Sequence, residues 1–174
     1  MKKISARELV LCALFAALTA VCSQLQIPLP LVPINLALLA VLLCGGLLHP
    51  SAAVLAMACY ALMGLVGLPV FAGFKGGAGA LLGSTGGYIL GYIPAAWLTS
   101  LLRTRWKSSF GALCLGMLAG VAVCYLLGTI WFMIATGNGL WVSLGYCVFP
   151  FLPGDALKIL LAAFLSRRLR ALSC

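Results

Sequence analysis

Asp155 and Lys158 stand three residues apart in FLPGDALKILLAAFL, residues 151–165, a run that is otherwise apolar. On a helix this spacing puts both side chains on one face, about 4.5 Å apart along the axis, where they can touch each other or a common ligand. The chemistry this offers is recognition, with Asp155 accepting hydrogen bonds and Lys158 donating them. A charge within a bilayer costs about 2.5–3.5 kcal/mol even on lenient insertion scales, so such residues face a partner or a cavity. Pro153 and Gly154 open the run, which sets Asp155 in the first turn, where the helix dipole favours an anion. The same dipole disfavours the ammonium of Lys158, which therefore needs a negative partner. The pair alone is also compatible with a purely structural ion pair that closes the helix end.

Catalysis finds no support in the remaining residues. The chain has two acids, Glu8 and Asp155, at opposite ends of their membrane segments, and one histidine, His49, at a turn. No acid–base pair can be assembled from these, and Ser84, Thr85 and Ser100 have no neighbouring base to activate them. The eight cysteines include no C-x-x-C pair and no histidine at ligand spacing, so they read as small hydrophobes and not as a metal or disulfide framework. No enzyme, cofactor or metal site is expected.

A second polar element comes before this run. Between Phe71 and Tyr88 lie seven glycines, at 73, 76, 77, 79, 83, 86 and 87, together with Lys75. Each glycine costs a helix about 1 kcal/mol relative to alanine, and irregular backbone at membrane depth survives only where protein or a wet cavity covers it. A loop folded back over a pocket fits. A phosphate-binding loop does not, because GALLGST lacks the lysine of the nucleotide motif. The expected site therefore joins Asp155 as acceptor, Lys158 and Lys75 as donors, Tyr88 and nearby aromatics as walls, and backbone N–H groups freed by glycines. With one net positive charge it should prefer a small, largely apolar monoanion.

The elements that must position these residues follow from composition. At 64% hydrophobic and 7% charged over 174 residues, the chain is an integral membrane protein, all-α, in one membrane domain spanning residues 1–174. A span needs roughly 20 apolar residues, and six runs bounded by Pro, Gly and charge are expected as a six-helix bundle, at 8–26, 34–48, 51–68, 86–102, 110–136 and 154–168. The first has no A-x-A cleavage site and is kept as a span rather than a signal peptide. Nine of the eleven Lys and Arg (Lys2, Lys3, Arg7, Arg103, Arg105, Lys107, Arg167, Arg168 and Arg170) fall on one side of that arrangement. Both termini are therefore expected in the cytoplasm of a cell-membrane protein, with Lys75, Asp155 and Lys158 in the outer half. Clustering between apolar runs excludes a nucleic-acid groove despite the net charge of +9. Span one carries Ala13-x-x-x-Ala17 and Ala16-x-x-x-Ala20, small faces that suit either packing within the bundle or a partner helix.

Taken together, LMGLVGLPVFAG, GSTGGYILGY, YLLGTIWF and FLPGDALK resemble the BioY family, the substrate-capture components of energy-coupling-factor biotin transporters. The similarity runs from ALFAALTAV to SRRLR. It implies a biotin site near the outer face, capped by the loops between spans one and two and between spans three and four. Asp155 and Lys158 match the residues that bind the ureido head, and Gly86, Gly87 and Tyr88 match a pocket-lining GGY. Gly76, Gly77 and Lys75 are expected to reach the biotin site from the capping loop. Ala13 and Ala17 match the motif that docks on a transmembrane coupling subunit, itself driven by two ATPase subunits. The chain departs from the family at Ser84, Lys75, Ala37 and Ile89, and Lys75 stands as the substitute partner for the ligand carboxylate. Other readings are capture of a different carboxylate-bearing vitamin, an intramembrane enzyme acting on lipid, and a channel.

Overall fold

The computed structural model describes residues 5–27, 32–106 and 109–173. Lys2, Lys3 and Lys107, used above to orient the chain, lie outside the described residues, as do residues 28–31 and Cys174. Helix α1 (Ala6–Gln24) is followed by a small antiparallel pair, β1 (Gln26–Ile27) with β2 (Ile34–Asn35). Then come α2 (Ala37–Leu47), α3 (Pro50–Leu65), a five-residue α4 (Ala78–Leu82), α5 (Gly86–Arg105), α6 (Phe110–Thr136), α7 (Leu140–Cys147) and α8 (Leu152–Ser173).

Local chemistry explains several boundaries. Ser5 and Glu8 form a reciprocal capping box, with the Glu8 amide 3.2 Å from Ser5 Oγ and the Ser5 amide 2.8 Å from Glu8 Oε2. One of the two acids is thereby used to start α1. Helix α6 opens on Ser109, whose Oγ accepts from the Ala112 amide at 3.2 Å, and stops at Gly137, whose φ of 71° is left-handed.

The all-helical membrane architecture has an apolar exterior. Val10, Leu14 and Val21 on α1, Leu118, Leu126 and Ile134 on α6, and Leu157, Leu160 and Phe164 on α8 all point outward. An apolar surface of this extent needs lipid against it. Among the described residues, α1 and α6 are each long and apolar enough to cross a membrane, and α7 with α8 meets that standard as a pair bent by 50°.

The expected run 34–48 is helical only over Ala37–Leu47. At about 16 Å this helix is too short to cross the hydrocarbon alone. It is instead sheathed by its neighbours, with nine of its eleven residues buried. Its terminal carbonyls, which lack partners within the helix, are met by side chains from α5 and α8. Arg103 donates from Nη1 to Gly46 O and Leu47 O at 3.3 Å each and from Nη2 to Leu48 O at 2.9 Å. Ser100 Oγ donates to Leu48 O at 2.6 Å, and Arg170 donates to Gly46 O. These contacts gather the 48–51 turn, the end of α5 and the end of α8 at one end of the bundle.

Candidate functional site

The other end of the bundle holds a cavity of about 580 Å³. Its walls come from the first turns of α5 and α8, the middle of α6, the β1–β2 pair, and the segment between α3 and α4. Tyr60, Tyr88, Tyr92 and Tyr125 supply aromatic surface with hydroxyl groups, and Val32, Leu38, Ile89 and Phe151 supply apolar surface.

Asp155 and Lys158 both line this cavity and are nearly buried, at 3% and 7% exposure. Lys158 Nζ lies 2.7 Å from Asp155 Oδ1. The other carboxylate oxygen, Oδ2, accepts a hydrogen bond from the Tyr125 hydroxyl. Sequence reasoning missed Tyr125, because it sits on α6, 30 positions from Asp155, and no local spacing rule connects the two. The ion pair is formed and stands in the cavity wall.

The segment 66–77 folds over the cavity as a tight turn. Phe71 and Lys75 exchange backbone hydrogen bonds at 3.0 and 3.2 Å, and Gly73 and Phe74 between them have positive φ angles of 74° and 56°. A positive φ at a bulky residue such as Phe74 needs outside support. Gln24 at the end of α1 supplies it: Oε1 accepts from the Phe74 amide at 2.9 Å, and Nε2 donates to Phe71 O at 3.1 Å. Ser23 Oγ and Tyr60 OH both donate to Val70 O, at 2.5 and 3.3 Å. The Tyr60 ring meets Phe71 edge-on at 5.6 Å between centroids. This turn carries Lys75 into the cavity wall. No salt bridge or side-chain hydrogen bond involves Lys75 among the described residues.

Of the eight residues expected at the site, Asp155, Lys158, Lys75, Tyr88 and Gly76 line the cavity. Gly86, Gly87 and Gly77 are not among its lining residues. A side chain at Gly86 would run into Leu81 O, and one at Gly87 into Trp131. These glycines let the start of α5 press against α4 and α6, behind the wall. Gly77, with φ of 86°, precedes the first residue of α4. Tyr88 presents its ring, while its hydroxyl is turned to Cys147 O at 3.3 Å. Helix α7, which falls between the expected runs 110–136 and 154–168, supplies that acceptor.

Ala13 and Ala17 lie on an exposed face of α1, in an apolar groove shared with Leu62, Met63 and Val66 at the α3 end. Ala16 is turned inward and buried.

Fold and cavity together define a multi-pass helical membrane protein with a ligand-sized chamber at one end, lined by a buried ion pair and roofed by a clasped turn. A family model described as the BioY family matches residues 1–173, and the chain belongs to that family. It is 36% identical to the probable biotin transporter BioY of Pyrococcus horikoshii over 96% of this chain and 98% of that protein. It is 37% identical to the biotin transporter BioY of Thermotoga maritima over 95% and 97% of the two chains. A crystal structure of the S-component for biotin from an ECF-type ABC transporter superposes with a TM-score of 0.87 at 31% identity, over 95% of this chain and 91% of that one.

Proposed function

We propose that this chain captures biotin from the outer face of the cell membrane and hands it to an energy-coupling module for uptake. The observation that carries the reading is the nearly buried Asp155–Lys158 pair at 2.7 Å in the wall of a ligand-sized cavity, in a chain whose relatives are named biotin transporters. A cyclic urea presents N–H and C=O side by side. The carboxylate accepts from the first and the ammonium donates to the second, and both are shielded from competing water. The fused rings and aliphatic chain of the ligand suit the Tyr and Ile surfaces.

Lys75 gives the site its net positive charge, because the other two charges oppose each other. It is the group placed to meet a ligand carboxylate, which favours a monoanion over a cation such as thiamine. The whole chain works as one membrane domain of six spans with both termini in the cytoplasm. The described basic residues Arg103, Arg105, Arg167, Arg168 and Arg170, at the end away from the cavity, support that orientation. Ala13 and Ala17 form the face that docks on the transmembrane coupling subunit, which two ATPase subunits drive. Isothermal titration of the purified chain with biotin and with thiamine tests the reading. Saturable heat with biotin alone is expected, and no heat with biotin removes it.

A further inference from the structure

Asp155 has partners on two helices: Lys158, one turn along α8, at Oδ1, and Tyr125, on α6, at Oδ2. All three side chains line the cavity. An ionised carboxylate only accepts, so the phenol must be the donor in this contact. Each carboxylate oxygen has two lone pairs. With one taken on each oxygen, one on each is left for a ligand.

Without Tyr125 the carboxylate would lose its Oδ2 partner on α6, and turning both oxygens toward Lys158 would make a closed pair with less to offer a ligand. The hydrogen bond from α6 engages Oδ2, while Lys158 holds Oδ1. We propose that Tyr125 is a positioning residue, whose hydroxyl proton fixes the Asp155 carboxylate so that its remaining lone pairs accept the ligand's N–H. This rests on the biotin-capture reading and extends it to a residue outside the ion pair. A consequence concerns Tyr125 itself: with its proton committed to Asp155, its oxygen can present only lone pairs to the cavity, so this corner of the wall attracts donors and repels acceptors.

The test is a double-mutant cycle read as biotin affinity of the purified full chain. Tyr125→Phe is expected to weaken biotin about tenfold or more, as expected for loss of a hydrogen bond to a charged group. Asp155→Ala should weaken it further. The double variant should be no weaker than Asp155→Ala within about twofold, because Tyr125 acts through Asp155. Losses that multiply would mean that Tyr125 supports the wall by packing alone, and would overturn the inference. Tyr125→4-aminophenylalanine, made by stop-codon suppression, keeps a donor at the ring's far end. It is expected within about threefold of wild type, by the same hydrogen-bond argument. A loss there as large as that expected for removing the donor also overturns the inference, and this arm stands if Tyr125→Phe does not fold. Wild-type binding with Tyr125→Phe undiminished sinks this inference alone. No binding by the wild-type chain sinks the capture reading and this inference with it.

Discussion

Gln24 and Phe74, fifty residues apart, are joined by a 2.9 Å hydrogen bond from the Phe74 amide to Gln24 Oε1. The same side chain donates from Nε2 to Phe71 O at 3.1 Å, so one glutamine at the end of α1 holds both arms of the turn that roofs the cavity. That turn includes a left-handed phenylalanine, and its geometry depends on this support. Gln24→Ala is expected to loosen the roof and speed release of bound biotin by up to about thirtyfold, from the loss of two hydrogen bonds worth about 1 kcal/mol each. Dissociation of radiolabelled biotin from purified protein measures this. An unchanged off-rate would mean the turn holds by its apolar contacts alone.

Asp155→Asn replaces an oxygen acceptor by a donor and leaves Lys158 buried with no counter-charge. Biotin affinity should fall tenfold or more, at about 1.4 kcal/mol per decade. Titration calorimetry reads it directly. Unchanged affinity would return the Asp155–Lys158 pair to a structural role.

Lys75 faces the cavity from the roof and makes no ion pair among the described residues. If it meets the ligand carboxylate, the site should distinguish biotin from biotin amide, and Lys75→Gln should erase that distinction. The expected pattern is about a tenfold loss for the acid, with the amide unchanged, since a charge-assisted hydrogen bond contributes about 1.5–3 kcal/mol. Equal losses for both ligands would place Lys75 in loop structure rather than in recognition.

The helical membrane class was legible because a chain with so few charges cannot cover itself with polar surface, and Pro, Gly and Lys/Arg punctuate its apolar runs. Asp155 and Lys158 were legible for a local reason, since three residues on a helix is a fixed geometry. Tyr125 and Gln24 were not. Their roles exist only once α6 meets α8 and α1 meets the roof, and no periodicity encodes such meetings. Gly86 and Gly87 show the limit of a glycine signal: something approaches the backbone closely, but the sequence does not say what. Here Leu81 O stands over Gly86 and Trp131 over Gly87. The brevity of α2 did have a local mark, Asn35, whose Oδ1 accepts from the Ala37 amide at 3.1 Å, but one asparagine in an apolar run is a weak boundary signal.

Arg103 illustrates a charge whose work is done inside the bundle. It caps Gly46 O, Leu47 O and Leu48 O at the end of a helix that cannot cross the membrane unaided. Arg103→Ala would take the side-chain donor from Leu47 O and leave Gly46 O and Leu48 O with Arg170 and Ser100 alone, at a cost of about 2 kcal/mol. Thermal unfolding in detergent should shift downward by several degrees, while biotin affinity at low temperature stays near wild type because the cavity lies at the other end. A variant as stable as wild type would show that Arg170 and Ser100 suffice.

Ala13 and Ala17 test whether capture and uptake are separable. Both are exposed on α1 beside an apolar groove, and neither reaches the cavity. A methyl side chain allows another helix to approach closely, whereas leucine holds it off by several ångströms of side chain. Leucine also remains soluble in lipid, so Ala13→Leu and Ala17→Leu should leave folding intact. Biotin titration of the purified variants is expected to match wild type. Uptake by cells supplying the coupling and ATPase subunits should fall more than tenfold, and the variants should no longer co-purify with the coupling subunit. Full uptake by both variants would move the docking surface to another helix face, and lost biotin binding would mean that α1 shapes the cavity through Gln24 more strongly than its exposed face suggests.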